Sequence, residues 1–425
     1  MHLRISKITV LAACLVGSSA FAAGFEKTIM WGGESAGLAG VAVPNTEGSE
    51  ALYFNPAGLV SDKQGQDLSF NISPTWTTNK APVNNLNEES TSEMFNTPAG
   101  LVYGITPNEK WGFGGGVYVA GGSSSKHDGI TVGTLSHEFE ASTDIQLIEL
   151  ALGAGYKVSE KLKVGMAWRV MMASASMKTI QRGAGSTTNL ELNDMKDTQF
   201  TGFKLGAQYQ LNEKTNIGLT YRSEVHFSLD GTYGGAAYTA GPTFAIAESD
   251  VTAKSALPQA VQLGFKHVLN EKWNLYGQYD WINYSIVNNI TIDGALTVTG
   301  VGTTDNPADM ETKWDDQHTV RLGAEYLGWS LPFRFGYAWA TKVSNLDFAT
   351  ATTTPPAAGH LFTVGTGYSF GENFKLNGAI EYVPSYSAEV SAGADAGTTG
   401  TGTDMRNGEY SASAYTVHLG LAYNF

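Results

Sequence analysis

The sequence predicts an all-β fold: a transmembrane antiparallel β-barrel of about 14 strands with an N-terminal plug, or hatch, inside its lumen. Three observations predict it. From Gln66 to Phe425 the chain is a succession of segments in which apolar and polar residues alternate. The connections between those segments alternate between short polar turns and long loops. Ahead of the first segment lies Gly24 to Val60, a stretch too apolar to be a solvated linker and too broken by glycine to be a strand.

The first residues read as a signal peptide over 1–22. Arg4 and Lys7 form a charged start, Ile8 to Val16 an apolar core, and Ala20-Phe21-Ala22 a small-residue cleavage site. Leu11-Ala12-Ala13-Cys14 also fits a lipoprotein box, but leaves a very short apolar core before the cysteine. Cys14 is the single cysteine of the chain, so the exported protein is expected to carry neither disulfide nor thiol. Export and the strand pattern together predict the bacterial outer membrane.

Residues 23–63 are assigned to the plug. Gly32, Gly33, Gly37, Gly40, Pro44 and Gly48 leave no strand-length alternation there. Asn55-Pro56-Ala57 near its end reads in two ways. Pro56 presets φ and restricts Asn55, which makes a turn into the first strand. The Asn55 amide is also the best candidate to tie the plug to the wall. Phe25, Ile29, Met30 and Trp31 either line a ligand pocket or fill plug–wall contacts.

Residues 64–425 are assigned to the barrel. Tyr415, Val417, Leu419, Leu421, Tyr423 and Phe425 share one face, opposite Thr416, His418, Gly420, Ala422 and Asn424. Leu331, Phe333, Phe335, Tyr337 and Trp339 repeat the pattern. The segments centre near Phe70, Val102, Gly116, Leu150, Met166, Leu205, Leu219, Val261, Tyr279, Leu322, Phe335, Val364, Ala379 and Leu419. Short turns recur at Val158–Lys161, Leu211–Lys214 and Leu269–Lys272. Long loops are expected at Gly121–Thr143, Ile180–Asp197, Asp230–Lys254, Asn288–Met310, Ser344–Gly359 and Ser387–Ser411. Such strands must close, because an unpaired backbone polar group in lipid costs several kcal/mol. Arg169, Arg222, Arg321 and Arg334 lie opposite the apolar face. A charge facing lipid costs roughly 2–4 kcal/mol at the midplane, so these are expected to point inward. There they either build structural networks with glutamates or bind a carboxylate.

Composition excludes several functions. The formal net charge of −14 argues against nucleic acid as a partner. The eight histidines show no metal-ligand spacing, and no phosphate-binding loop or nucleophile motif accompanies the strands, so no enzyme, cofactor or metal is expected.

The ordered motifs Ala51-Leu52-Tyr53-Phe54-Asn55-Pro56-Ala57-Gly58-Leu59, Leu257-Pro258 with Leu263-Gly264-Phe265, Trp314-Asp315-Asp316 through Leu322-Gly323-Ala324-Glu325-Tyr326, and Arg334-Phe335-Gly336-Tyr337 resemble the FadL-type outer-membrane transporters of long-chain fatty acids and hydrocarbons. The similarity covers essentially the whole exported chain. It implies passive uptake of a hydrophobic ligand, most simply a long-chain fatty acid. The ligand binds inside the barrel and leaves sideways beside a kinked third strand. The partners implied are a fatty acid or other hydrophobic small molecule, outer-membrane lipid and lipopolysaccharide. The barrel assembly machinery is a further partner, through the C-terminal strand ending in Phe425. Gly112, Gly114, Gly115 and Gly116 in the third strand mark either this lateral opening, or a tight barrel bend, or room for the plug to pack against the wall. An importer of aromatic or aliphatic hydrocarbons, and a plugged adhesin acting through its outer loops, are the alternatives.

Overall fold

The computed structural model describes residues 32–82, 89–132, 135, 137–183, 186–305, 310–390 and 407–425. The expected signal peptide and Phe25, Ile29, Met30 and Trp31 lie outside the described residues.

Alternating residues along Gln66–Phe425 form one closed antiparallel barrel of fourteen wall strands. In chain order these are β1 (Gly65–Ile72, resuming at Thr75–Pro82), β2 (Glu89–Asn96 and Ala99–Thr106), β3 (Trp111–Thr131), β4 (Glu138–Ser159) and β5 (Leu162–Gly183). They continue with β6 (Ser186–Asn212), β7 (Thr215–Arg222 and Val225–Thr239), β8 (Thr243–Leu257 and Ala260–Asn270) and β9 (Trp273–Ile282, extended by Asn289–Val298). The last five are β10 (Gln317–Tyr326), β11 (Phe333–Ala340), β12 (Gly359–Phe370), β13 (Phe374–Val390) and β14 (Gly408–Asn424). Every expected strand centre falls in its own strand. β1 closes on β14 from Asp67↔Asn424 to Ile72↔Leu419, so the seam leaves no edge there.

The two faces are inverted relative to a soluble protein. Leu152, Met166, Leu322 and Ile380 face outward and are more than half exposed, whereas Arg169 and Arg321 face inward with 1% and 0% exposure. Water would penalise that outer surface, and a hydrocarbon solvent does not. Trp111 against Tyr156, Trp273 against Tyr326 and Trp329 against Phe333 group near the short turns, as an interfacial girdle requires.

Four expected loops are mostly strand, Asn288–Met310 among them through Asn289–Val298 and Gly302–Asp305. β3 runs to Thr131 and β4 starts at Glu138; β5 ends at Gly183 and β6 starts at Ser186; β7 and β8 meet across Thr239 and Thr243. These Ser-, Thr- and Gly-rich hairpins extend the wall past the apolar band. Both their faces can be solvated there, so the apolar alternation that marks the lower wall is missing. The interruptions in β1, β2 and β8 fall at Pro74, Pro98 and Pro258, which have no N–H to give to a ladder.

Residues 32–60 lie within the barrel and are almost wholly buried. They fold into two single-turn helices, α1 (Gly33–Ala36) and α2 (Ala51–Phe54), and a 3₁₀ turn at Pro56–Leu59.

Candidate functional site: the barrel interior

The inner segment is held to the wall by side chains from strands all round the barrel. Its irregular backbone leaves N–H and C=O groups unpaired, and inward polar residues satisfy them. Thr363 accepts from Ala39 N at 3.1 Å, and Gln278 from Ala42 N at 3.3 Å. Gln208 donates to Thr46 O at 3.0 Å. Lys204 Nζ donates to Leu52 O and Tyr53 O at 3.3 and 2.5 Å, placing a cation on the last carbonyls of α2.

Asn55 stitches two elements. Its Nδ2 donates to Val43 O at 2.8 Å within the segment and to Ala207 O at 3.0 Å on β6, while its Oδ1 accepts from Ala57 N at 3.2 Å. Pro56 opens the 3₁₀ turn, where its missing N–H is not needed. Pro56 and Ala57 rest on a trough of glycines that are direct cross-strand partners, Gly155↔Gly165↔Gly206 on β4, β5 and β6. A Cβ on Gly165 would lie 2.3 Å from the Pro56 carbonyl. Gly218↔Gly264 forms a second trough under Val43 and Pro44, and Gly323↔Gly336 a third under Leu38 and Ala39. The sequence reading did not single out these troughs. Their signal is glycine at inward parity, repeated in neighbouring strands.

Arg169, Arg321 and Arg334 sit in buried ion pairs. Arg169 donates through Nε and Nη2 to Glu149 Oε2 at 2.9 and 2.8 Å, and Tyr118 OH donates to Glu149 Oε1 at 2.5 Å. Arg321 Nε meets Asp280 Oδ2 at 2.6 Å, and its Nη1 donates to Ala39 O at 2.8 Å. Arg334 Nε meets Glu325 Oε1 at 2.9 Å, and its Nη2 lies 3.5 Å from Glu34 of α1. Arg222 is the direct cross-strand partner of Lys204. The two line a small cavity of about 40 Å³ together with Tyr53, Phe54, Ala120 and Glu149. Neither Lys204 nor Glu149 is singled out in the sequence.

Ala120 also belongs to the largest apolar cluster of the interior, with Leu147, Met171, Leu192, Phe227, Leu257 and others. That cluster surrounds a second cavity of about 100 Å³, whose lining carries serine and threonine but no charged residue. A wider polar cavity of about 500 Å³ lies under the segment on the short-turn side, between Glu34, Glu47, Lys161, Lys163, Lys266 and Lys375.

The wall itself changes beside the third strand. The β2–β3 ladder runs from Ile105↔Phe113 to Gly100↔Tyr118 and no further among the described residues. Above it β3 shifts register at Val119/Gly121 while staying paired to β4. The upper half of β2 stays paired to β1. Among the described residues, bonds that each involve a side chain then bridge β2 and β3: Asn96 Nδ2 donates to Ser124 Oγ at 3.1 Å, Ser92 Oγ accepts from Lys126 N at 2.7 Å, and Ser90 meets His127 at 3.2 Å. The glycine run lies below this break. A Cβ on Gly112 would lie 1.9 Å from Leu59 O, and one on Gly114 2.6 Å from the Leu59 side chain. Gly115 and Gly116 lie within the intact ladder.

Comparison with known proteins bears on this arrangement. Residues 13–425 match the family described as outer membrane protein transport protein (OMPP1/FadL/TodX). Outer membrane protein P1 of Haemophilus influenzae is 24% identical over 398 residues, covering 82% of this chain and 80% of its own length. The long-chain fatty acid transport protein of Salmonella typhi is 21% identical over 278 residues, 59% of this chain and 62% of its own. Among solved structures, the P. putida toluene transporter TodX superposes with a TM-score of 0.77 at 19% identity, covering 94% of this chain and 99% of that one. A Pseudomonas aeruginosa FadL homologue superposes at 0.74 with 16% identity, covering 95% and 100%. A closed barrel with an inverted surface and a match over nearly its whole length make this chain a member of the OMPP1/FadL/TodX family of outer-membrane transport proteins.

Proposed function

We propose that the protein carries hydrophobic molecules passively across the outer membrane, and that its ligand is an amphipathic acid of the long-chain fatty acid class. The reading is supported by one juxtaposition: the apolar cluster that surrounds the uncharged cavity includes Ala120, which also lines a cavity where Lys204 and Arg222 stand side by side, with Glu149 3.9 Å from Lys204. An apolar chain fits the first environment and a carboxylate the second. The ion-paired Arg169, Arg321 and Arg334 act as structure in this reading. Residues 32–60 are the plug, anchored by Asn55, Pro56 and Ala57. The ligand leaves through the wall between the upper halves of β2 and β3, where no backbone ladder has to break. Gly112 and Gly114 serve this exit indirectly, by letting the plug lie close beneath it.

A neutral hydrocarbon is the second reading, favoured by the absence of charge around the apolar cavity of about 100 Å³. The test is displacement of a fluorescent long-chain fatty acid from the refolded protein in detergent, by oleate and by toluene. Fatty acid specificity requires oleate to compete, and Arg222→Gln to weaken oleate by about ten- to a hundredfold while leaving toluene unchanged. Toluene competing better than oleate, with no effect of Arg222→Gln, selects the hydrocarbon. No saturable binding of either sinks both readings and favours a plugged adhesin.

A further inference from the structure

The larger apolar cavity is too small for the ligands proposed for it. Its volume of about 100 Å³ is below the roughly 150 Å³ of a cavity known to take a benzene ring in another protein. The cavity is partly open, so a ligand can extend out of it, but a wider group enters only where part of the wall yields, and the backbone marks which part.

Inside β6, one residue more is present than in either neighbouring strand. Against β5 the register steps from Ala175↔Met195 to Met177↔Leu192. Against β7 it steps from Asp230↔Lys196 to Thr232↔Asn193. Asp194, at the centre of this bulge, has φ +53°, a left-handed conformation uncommon outside glycine. A bulge re-aims the side chain next to it. Here that side chain is Met195, which is 2% exposed and lines the cavity. Opposite it on β7 stands Gly231, where a Cβ would lie 2.5 Å from Met195 Sδ. The thioether thus occupies room that any other residue at 231 would take. Most of the lining is branched, aromatic or small; Met177 and Met195 are the unbranched, flexible residues in it.

We propose that Met195 is the specificity-determining residue of the cavity: a flexible side chain, aimed by the Asp194 bulge and seated over Gly231, that sets how large an apolar group can enter. This rests on the cavity being the binding site proposed above. Met195→Ala removes the yielding wall and favours large ligands. Met195→Phe replaces it with a stiff one and favours small ligands. Gly231→Ala meets the Asn193 carbonyl oxygen at 2.6 Å as well as the thioether at 2.5 Å, so it displaces the thioether only with a shift of the β6 backbone and then acts in the same sense as Met195→Phe.

The experiment measures Kd for decanoate and for oleate on each refolded variant, with heat-modifiable gel migration as the check that the barrel has closed. The oleate-to-decanoate affinity ratio is expected to rise about tenfold in Met195→Ala and to fall in Met195→Phe. A ratio unchanged in both folded variants overturns the inference, as does an equal loss for both ligands. Absence of binding by the unsubstituted protein overturns the proposed function instead. Should Gly231→Ala fail to fold, the two Met195 variants decide.

Discussion

Asn55 and Gly206 occupy a single space between plug and wall. A Cβ on Gly206 would lie 2.0 Å from Asn55 Oδ1, and Nδ2 of the same amide bonds the adjacent wall carbonyl of Ala207. The amide can reach the wall carbonyl only because β6 lacks a side chain at Gly206. Asn55→Ala leaves the carbonyls of Val43 and Ala207 without this donor in a buried site, a cost of about 1–3 kcal/mol. Gly206→Ala has to push the plug off the wall. Both variants are expected to make residues 32–60 more accessible to protease while the barrel stays heat-modifiable on gels. A protection pattern equal to that of the unsubstituted protein would refute the anchor.

Arg321 ties the plug at Ala39 to Asp280 on β9, and both charges are fully buried. Arg321→Met strands Asp280 without its cation, which costs about 3–5 kcal/mol. Replacing both partners, Arg321→Met with Asp280→Leu, is expected to recover most of that loss. Denaturant unfolding in detergent measures it; equal losses in the single and double variants would show that the ion pair is not the cause.

The plug carries two carboxyls displaced in opposite directions. Burial, reinforced by the charge of Glu34, pushes Glu50 up from 4.5 to about 7. Burial also acts on Glu34, but Arg334 and Lys375 outweigh it and hold that carboxyl at about 2. Glu50 is therefore neutral in the docked plug at mildly acid pH. Its contribution is complete below about 4.5 and is lost as pH rises through about 7. Glu34 contributes above about 4.5 and loses its contribution as pH falls toward about 2. Plug protection against hydrogen exchange is expected to decline between pH 4.5 and 7, and Glu50→Gln to flatten that decline. An unaltered slope in Glu50→Gln would assign the dependence to another group.

The unladdered wall between β2 and β3 can be closed chemically. Asn96 and Ser124 face each other across it at 3.1 Å. Cys14, the one native cysteine, lies in the expected signal peptide. A disulfide between Asn96→Cys and Ser124→Cys is expected to abolish uptake of the fluorescent fatty acid by cells while leaving its binding to purified protein intact, and reduction to restore uptake. Uptake that survives full crosslinking would place the exit elsewhere.

The period-two alternation from Phe70 to Leu419 was enough to place all fourteen wall strands, because each spanning strand must show lipid one face and the lumen the other. The inward parity of Arg169, Arg321 and Arg334 was legible for the same reason. Alternation stops where both faces meet water, so the outer hairpins of β3 to β8 read as loops. Parity also cannot say what an inward side chain meets. That Arg169, Arg321 and Arg334 find Glu149, Asp280 and Glu325, and that Lys204 stands beside Arg222, depends on the registers of strands paired in the closed barrel. The glycine troughs and the Met195 bulge have the same origin. Each is a match between neighbouring strands, or between the wall and the segment inside it, and is made only once the barrel has paired in register.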